Sequence, residues 1–420
     1  MEIKKLTSLA TAVTLALGIT ACGGGGGSST TASSVGTSSV GVITGFGSVF
    51  VNGVEYQTTG TSISRDGSPA SENDLAVGMV VEVIGNANGA NGVAQRIIAN
   101  DEMEGIVQAN TVAPGTTNGT LTVMGQTVNV NADLIFESKV AGINSVDQIA
   151  AGNIVEVNGF GDGNGNVTAT RIEVKAADLA SYLASHSDGM EVKGRVSNLN
   201  STTFMLGNMT VDYSGATLEV NGGLANDLYV EVKSVEGINV DGNLVASKVE
   251  LENEGKAGHQ GDEDEEFEIR GLIATGFDGT AFIIDGTRII VDDGTEMDDM
   301  RTSDLTPGTE VEVEGRFDAN GDLLADEISM ETEADTEIRG TIASVSSSGV
   351  NTGSITLVSG TVVLINNDTV MHDSRDNGMT PVDHFNLGFL DNGDYVEMRV
   401  YTAANGDLVA VKLEREDGNT

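Results

Sequence analysis

The sequence predicts an all-β protein: five tandem, small, five-stranded OB-like β-barrels behind a secretory leader and a flexible tether. Three observations predict it. Short β-branched runs around Gly-containing turns recur from residue 41 to 416, and one pattern of five strands repeats five times. The chain also has 55 Gly and only one amphipathic helical candidate, residues 176–187, with Leu179, Tyr182 and Leu183 on one face.

Each unit opens with a short strand containing a Gly. The examples are Gly41 to Phe46, Glu104-Gly105-Ile106-Val107, Glu191-Val192-Lys193-Gly194, Glu268-Ile269-Arg270-Gly271 and Glu337-Ile338-Arg339-Gly340. A hairpin follows, as in residues 121–130 and 281–291, where β-branched residues flank a Gly turn. A variable connection comes next, then Leu or Ile, a Gly and an alternating strand: 75–83, 149–157, 305–313 and 390–398. The third unit keeps the strand at 228–232 without that Gly. An Asn/Asp/Gly turn then leads to an Ala-containing strand: 93–97, 167–172, 244–249, 323–328 and 408–413.

From Gly105 through Gly194 and Gly271 to Gly340 the spacings are 89, 77 and 69 residues, too long and variable for a solenoid. Five short strands with alternating faces fit a small closed barrel, which also removes exposed edges. The variable connection stands where the OB helix would; a plain β-sandwich per unit is the alternative. The units are 41–100, 101–175, 190–252, 268–331 and 337–416. A helical joint at 176–189, an acidic linker at 253–267 and a short joint at 332–336 separate them. Small domains with polar joints are expected to form an extended, hinged string.

Residues 1–21 read as a signal peptide. Lys4 and Lys5 precede an apolar stretch from Leu6 to Ile19 that is too short to span a bilayer. Leu17-Gly18-Ile19-Thr20-Ala21-Cys22 resembles the lipobox of bacterial lipoproteins, in which the Cys is diacylated and becomes the new N-terminus. Cys22, the only Cys, is therefore the expected lipidation site, which excludes a disulfide framework and a thiolate zinc site. Gly23 stands where an Asp would retain an enterobacterial lipoprotein in the inner membrane, so the sorting pattern implies the outer membrane. Residues 22–40, rich in Gly, Ser and Thr, form the tether.

The 63 acidic and 21 basic residues give a charge of −42, which argues against nucleic acid as a partner. Glu82, Glu156, Glu231, Glu312 and Glu397 share one strand position, which the alternation places on a solvent face. The lipobox, the tether, Gly45-Phe46-Gly47-Ser48-Val49-Phe50-Val51-Asn52-Gly53 and the run 75–83 together resemble the bacterial family catalogued as domain of unknown function 5666. The first unit matches best and the others diverge. The resemblance implies a small β-domain and an envelope location, and it brings no catalytic residue with it.

Candidate chemistry is sparse. Asp162, Asn164 and Asn166, and again Asp318, Asn320 and Asp322, offer oxygens at alternate positions, as an EF-hand loop does for Ca²⁺. Val167 and Leu323 replace the Gly such a loop needs at its sixth position. The twelfth is Glu173 in the first run and Ser329 in the second. Asn88-Gly89, Asp241-Gly242 and Asn405-Gly406 occupy the same place in the other units, so a φ > 0 turn explains them all. His372-Asp373 and Asp383-His384 would make a metal or catalytic site only if they converged. No Gly-x-Ser-x-Gly elbow is present, and the chain has no Trp to stack a sugar. These observations predict a non-enzymatic, outer-membrane-anchored lipoprotein without a required cofactor. Its role would be structural or binding, with an envelope protein or polysaccharide as partner. A Ca²⁺-dependent binding or adhesion module and an envelope enzyme using His372 and His384 are the alternatives.

Overall fold

In the computed structural model, the described residues are 37–418, except 163, 188, 253–265, 299, 319–320, 332–333, 335 and 376–380. The leader, Cys22 and most of the tether lie outside them, as does nearly all of the acidic linker.

The first repeat shows how the chain closes. Its opening strand, Thr37–Phe46, pairs with Val49–Val51, which pairs in turn with Val54–Gln57 across a two-residue turn. Asn52 (φ 49°) and Gly53 (φ 72°) supply the left-handed conformation such a turn requires. Val54–Gln57 runs parallel to the last strand, Asn91–Ala99, which pairs antiparallel with Val80–Asn88. Val80–Asn88 then returns to the opening strand. This order, 1-2-3-5-4-1 with one parallel pair, is a closed OB-like barrel. The same ring closes in repeats two, four and five. In repeat three the last strand is split into Leu244–Val245 and Lys248–Leu251.

A bulge recurs at one place in the last strand, where Gln95, Thr170, Asp326 and Val411 are the extra residues opposite the fourth strand. The register shifts at Gly85, Gly159, Gly315 and Val400, each paired with a small, buried residue: Ala94, Ala169, Ala325 and Ala410. The recurring Ala of the last strand thus has a reason: it faces the point where the hairpin bends. A Cβ on Gly159 would collide with the backbone carbonyl of Thr168, and one on Gly85 or Gly315 would meet the equivalent carbonyl.

Among its described residues, the variable connection holds no α-helix. It carries a sixth short strand parallel to the last one (Ser62–Arg65, Ile135–Ser138, Thr217–Glu219, Glu296–Asp298 and Val370–Asp373). A single 3₁₀ turn follows in repeats one, two, four and five. The tether also ends before residue 40. Ser38 and Ser39 are buried in the opening strand, where small side chains fit between two neighbouring strands.

The barrels do not form an extended string; they pack into one compact unit. Residues 37–40 pair antiparallel with the fourth strand of their own barrel and parallel with Glu266–Thr275 of the fourth barrel. The second and third barrels pair through Met103–Asn110 and Met190–Ser197 and share one core, including Met103, Leu121, Phe204 and Val232. Val40, Val80 and Phe160 complete the core of the fourth barrel. The fifth barrel meets the first through Thr44 Oγ1 to Asn367 O (2.8 Å), and the second through Lys412 Nζ to Leu134 O (2.8 Å). The helix of the joint, Leu179–Leu183, is capped by Asp178 and buries Tyr182 against the shared core. Among the described residues no helix is long and apolar enough to cross a membrane.

The recurring Glu is not on a solvent face either. Glu82, Glu156 and Glu231 are 1%, 0% and 7% exposed, and Glu312 and Glu397 are half-buried. The strand alternation is correct for each barrel alone, but the outer face is covered by the next barrel. Because the glycine opposite the bulge packs on backbone that cannot swing aside, Gly159→Val is expected to cost about 1–3 kcal/mol. Urea denaturation of the full chain, compared with wild type, measures it.

Candidate functional site

Strand register places a row of acids across the second and third barrels. Glu137 pairs with Glu173, Glu173 with Glu156, Glu156 with Glu104, and Glu104 with Glu191 across the barrel boundary; Lys233 and Lys248 complete the row. Directly opposed residues lie about 4.5–5.5 Å apart between Cβ atoms, and like charges there destabilise a sheet. Cations answer part of this. Lys175 Nζ reaches Glu156 Oε2 at 2.6 Å, Glu173 Oε2 at 3.2 Å and Glu104 Oε1 at 3.8 Å. Arg65 of the first barrel pairs with Glu156, Arg171 with Glu137 (2.7 Å), and Lys233 with Glu191 (2.7 Å) and Glu231.

In repeats three, four and five the recurring Glu faces a base on the opening strand: Lys193, Arg270 and Arg339. Repeat two has Glu104 in that place, opposite Glu156. Burial acts against ionisation of both. At Glu156, Lys175 and Arg65 overcome it and hold the carboxyl at about 2. At Glu104, burial prevails over Lys175, and the carboxyl is pushed up to about 7.

Asp101, in the joint between the first two barrels, sits beside the middle of this row, close to Glu104, Glu156 and Glu191. It is 3% exposed, and neither carboxylate oxygen has a hydrogen-bond partner among the described residues. Its backbone is well held: its N–H donates to Asp66 Oδ1 (3.0 Å), and its carbonyl accepts from Lys193 Nζ (2.7 Å). Burial pushes the Asp101 carboxyl well above the usual carboxylate range, and neighbouring Asp66 and Glu191 push it further.

The residues singled out from the sequence are placed elsewhere. Cys22 lies outside the described residues, as does Asn320. Asp162 Oδ1 accepts from the N–H groups of Asn164 (2.8 Å) and Asn166 (2.9 Å), while Oδ2 accepts from Asn166 Nδ2 (2.7 Å), so both oxygens serve the turn. Glu173 stands seven residues along the strand from Asn166, on the order of 20 Å away, inside the acid row. Asp318 accepts from Asp322 N–H (3.0 Å), and Asp322 pairs with Arg288 (2.7 Å).

His372 is buried in the sixth strand of the fifth barrel, not in a loop. Its Nε2 lies 3.4 Å from Glu137 and its Nδ1 3.5 Å from Glu414, while Asp373 pairs with Arg375 and Arg415. His384 stacks on Phe46 of the first barrel (3.8 Å between ring centroids), and its Nε2 lies 3.2 Å from Leu75 O. The two His residues have different partners in different barrel contacts, and neither is paired with its neighbouring Asp in a dyad.

Asp101, Asp66, Glu104 and Glu191 were not singled out from the sequence. One signal was there to read: the base before the opening-strand Gly in three repeats is Glu104 in the second.

A second buried group surrounds Arg270 where the first, fourth and fifth barrels meet. Arg270 pairs with Glu310 (3.2 Å), Glu331 (3.0 Å) and Asp368 (3.2 Å). Burial pushes Glu268 up to about 7, and burial with Glu268 and Glu331 nearby pushes Glu312 up to about 8. Both values exceed the ordinary carboxyl value, so the folded state holds protons that the unfolded chain releases above about pH 4.5. These groups favour folding at pH 5, and that contribution is lost as pH rises through 7–8. The melting temperature in chelator is therefore expected to fall from pH 5.5 to pH 8.5. Glu312→Gln should flatten part of that slope and raise the melting point at pH 8.5.

Comparison with known proteins agrees with the five-fold repeat. The model of the family described as domain of unknown function (DUF5666) matches residues 40–98, 104–173, 193–250, 270–329 and 339–414. A search of curated proteins gave no match. Among solved structures, "drosophila Unr CSD456" is similar at 15% identity and a TM-score of 0.14, covering 54% of this chain and 97% of that one. A multidomain protein with nucleic acid binding domains from Streptococcus pneumoniae is similar at 9% identity and a TM-score of 0.14, covering 55% and 74%. At that score neither likeness bears on arrangement or function. With five matched copies filling most of the body, the chain belongs to the DUF5666 family.

Proposed function

We propose that this protein is a non-catalytic binding body of the bacterial cell envelope, anchored to the outer membrane through diacylated Cys22. It recognises an envelope protein or polysaccharide. The observation that carries the binding reading is a cleft of about 230 Å³ where the first, second, fourth and fifth barrels meet. Val42, Ile135, Phe160 and Val370 give it an apolar lining, with Arg270 and Arg399 at its walls. A mostly apolar recess with a few fixed polar groups, formed between domains, is where ligands commonly bind. Strand pairs and cores between barrels, with side-chain contacts from the fifth, also make the five barrels one unit, so recognition uses one composite surface and not five separate modules.

The anchor is supported by the sequence: Lys4 and Lys5, the short apolar stretch, small residues before Cys22, and Gly23 after it. Two acyl chains anchor stably where one is marginal.

Metabolic labelling with a palmitate analogue tests the anchor. Wild type is expected to be labelled and membrane-bound, and Cys22→Ser unlabelled and soluble; a labelled Cys22→Ser chain would refute it. For the cleft, lipidated protein is used to capture partners from solubilised envelope. Thr168→Trp, which fills the cleft, is expected to lose a partner that wild type retains.

A further inference from the structure

The junction of the first three barrels brings together oxygen donors from separate parts of the chain. Carboxylate oxygens of Asp66, Asp101 and Glu191 lie within 4.8 Å of one another, and so do those of Asp101, Glu104 and Glu156. Two oxygens that both bind a cation at about 2.4 Å can be at most about 4.8 Å apart, so each group is compact enough to share one ion. Asp101 belongs to both groups.

A second observation is independent of the clustering. Both Asp101 oxygens are buried without a hydrogen bond, and no ion pair reaches them among the described residues. The nearby cations answer this charge only in part. Arg65 and Lys175 hold Glu156, and Lys233 holds Glu191 and Glu231. Lys193 acts on the Asp101 carboxylate through its charge but donates to the Asp101 backbone carbonyl, and the same ammonium also faces Asp66 and Glu191. A buried carboxylate in that state is too costly to remain uncompensated. Either a proton or a cation completes the site.

The donor set favours a cation of a particular kind. It contains no His nitrogen or Cys sulfur, which disfavours zinc and copper. Mg²⁺ keeps several waters and demands a near-ideal octahedron, whereas Ca²⁺ accepts a crowd of carboxylates in irregular geometry.

We propose that Asp101, with Asp66, Glu104, Glu156 and Glu191 around it, binds one Ca²⁺ that fastens the first three barrels together. Asp66 comes from the first barrel, Asp101 from the joint, Glu104 and Glu156 from the second barrel, and Glu191 from the third. The ion therefore occupies a three-way contact and stabilises barrel docking, separately from the Asp162 and Asp318 turns. This inference depends neither on the Cys22 anchor nor on the cleft.

The test uses the full chain, stripped with EDTA and titrated with CaCl₂ to about 5 mM, which covers the affinities of extracellular calcium modules. Melting temperature and calorimetric binding are both followed at pH 7.5. Wild type is expected to bind one Ca²⁺ at the junction with a saturable rise in melting temperature. Asp101→Asn should weaken that binding roughly tenfold or more, while its ion-free melting temperature equals or exceeds that of wild type, because the neutral amide has neither a charge to bury nor a proton to take up. Asp162→Asn should keep the rise. If Asp101→Asn fails to fold, Glu104→Gln takes its place with the same expectation. A wild type indifferent to Ca²⁺ would overturn the proposal and leave a proton as the compensating group. An undiminished rise in Asp101→Asn, its loss in Asp162→Asn instead, or an equal rise with Mg²⁺ would also overturn it.

Discussion

A barrel of five short strands cannot bury its own outside. A chain of roughly 60 residues hides only about 60% of the surface it exposes when unfolded, which leaves such a domain marginal. Here the remedy is mutual burial. Opening strands pair with a second barrel, Phe160 from the second barrel fills space in the fourth, and the second and third barrels share a core. The burial of so many recurring carboxylates follows from this. Faces that would be wet on an isolated barrel become interfaces, and the carboxylates on them go inside.

The internal plan of each barrel was legible in the sequence because it depends on local rules. Strand alternation, the Asn52-Gly53 turn and the repeated Gly and Ala all act within about 80 residues, and the OB-like ring follows from them. Association between barrels was not legible. It depends on which outer faces fit together, and a strand such as residues 80–83 has the same period whether its outer face meets water or another barrel. Hence the sequence pattern puts Glu82, Glu156 and Glu231 toward solvent, and residues 37–40, all small or polar except Val40, in the tether. The Asp162 turn is read the same way from sequence and structure because Asx chemistry is local. Asp101 was invisible for the opposite reason: an Asp between two strands looks like any joint residue until three barrels close over it.

The two His residues are placed by the same constraint. His372 and His384 look like loop residues with adjacent acids. The fold uses one to bridge Glu137 and Glu414, and the other to stack on Phe46 and contact Leu75. Their role in the structure is to join the fifth barrel to the second and first. Part of the acidity of the chain lies inside the body, on contacts that need compensating charge.

The parallel pairing of residues 37–40 with Glu266–Thr275 also sets an order of events. Val40 meets Ile269 across 229 residues of chain. A polypeptide made from its N-terminus completes the first barrel long before the fourth exists. During that interval the outer edge of the opening strand has no partner, and pairing over such a separation is slow to form. The first barrel thus passes through a stage in which its edge is open to any other strand, including that of another copy. The buried serines at positions 38 and 39 and the lack of a long apolar run at this edge make it a poor template for such mispairing while its own partner is still being made.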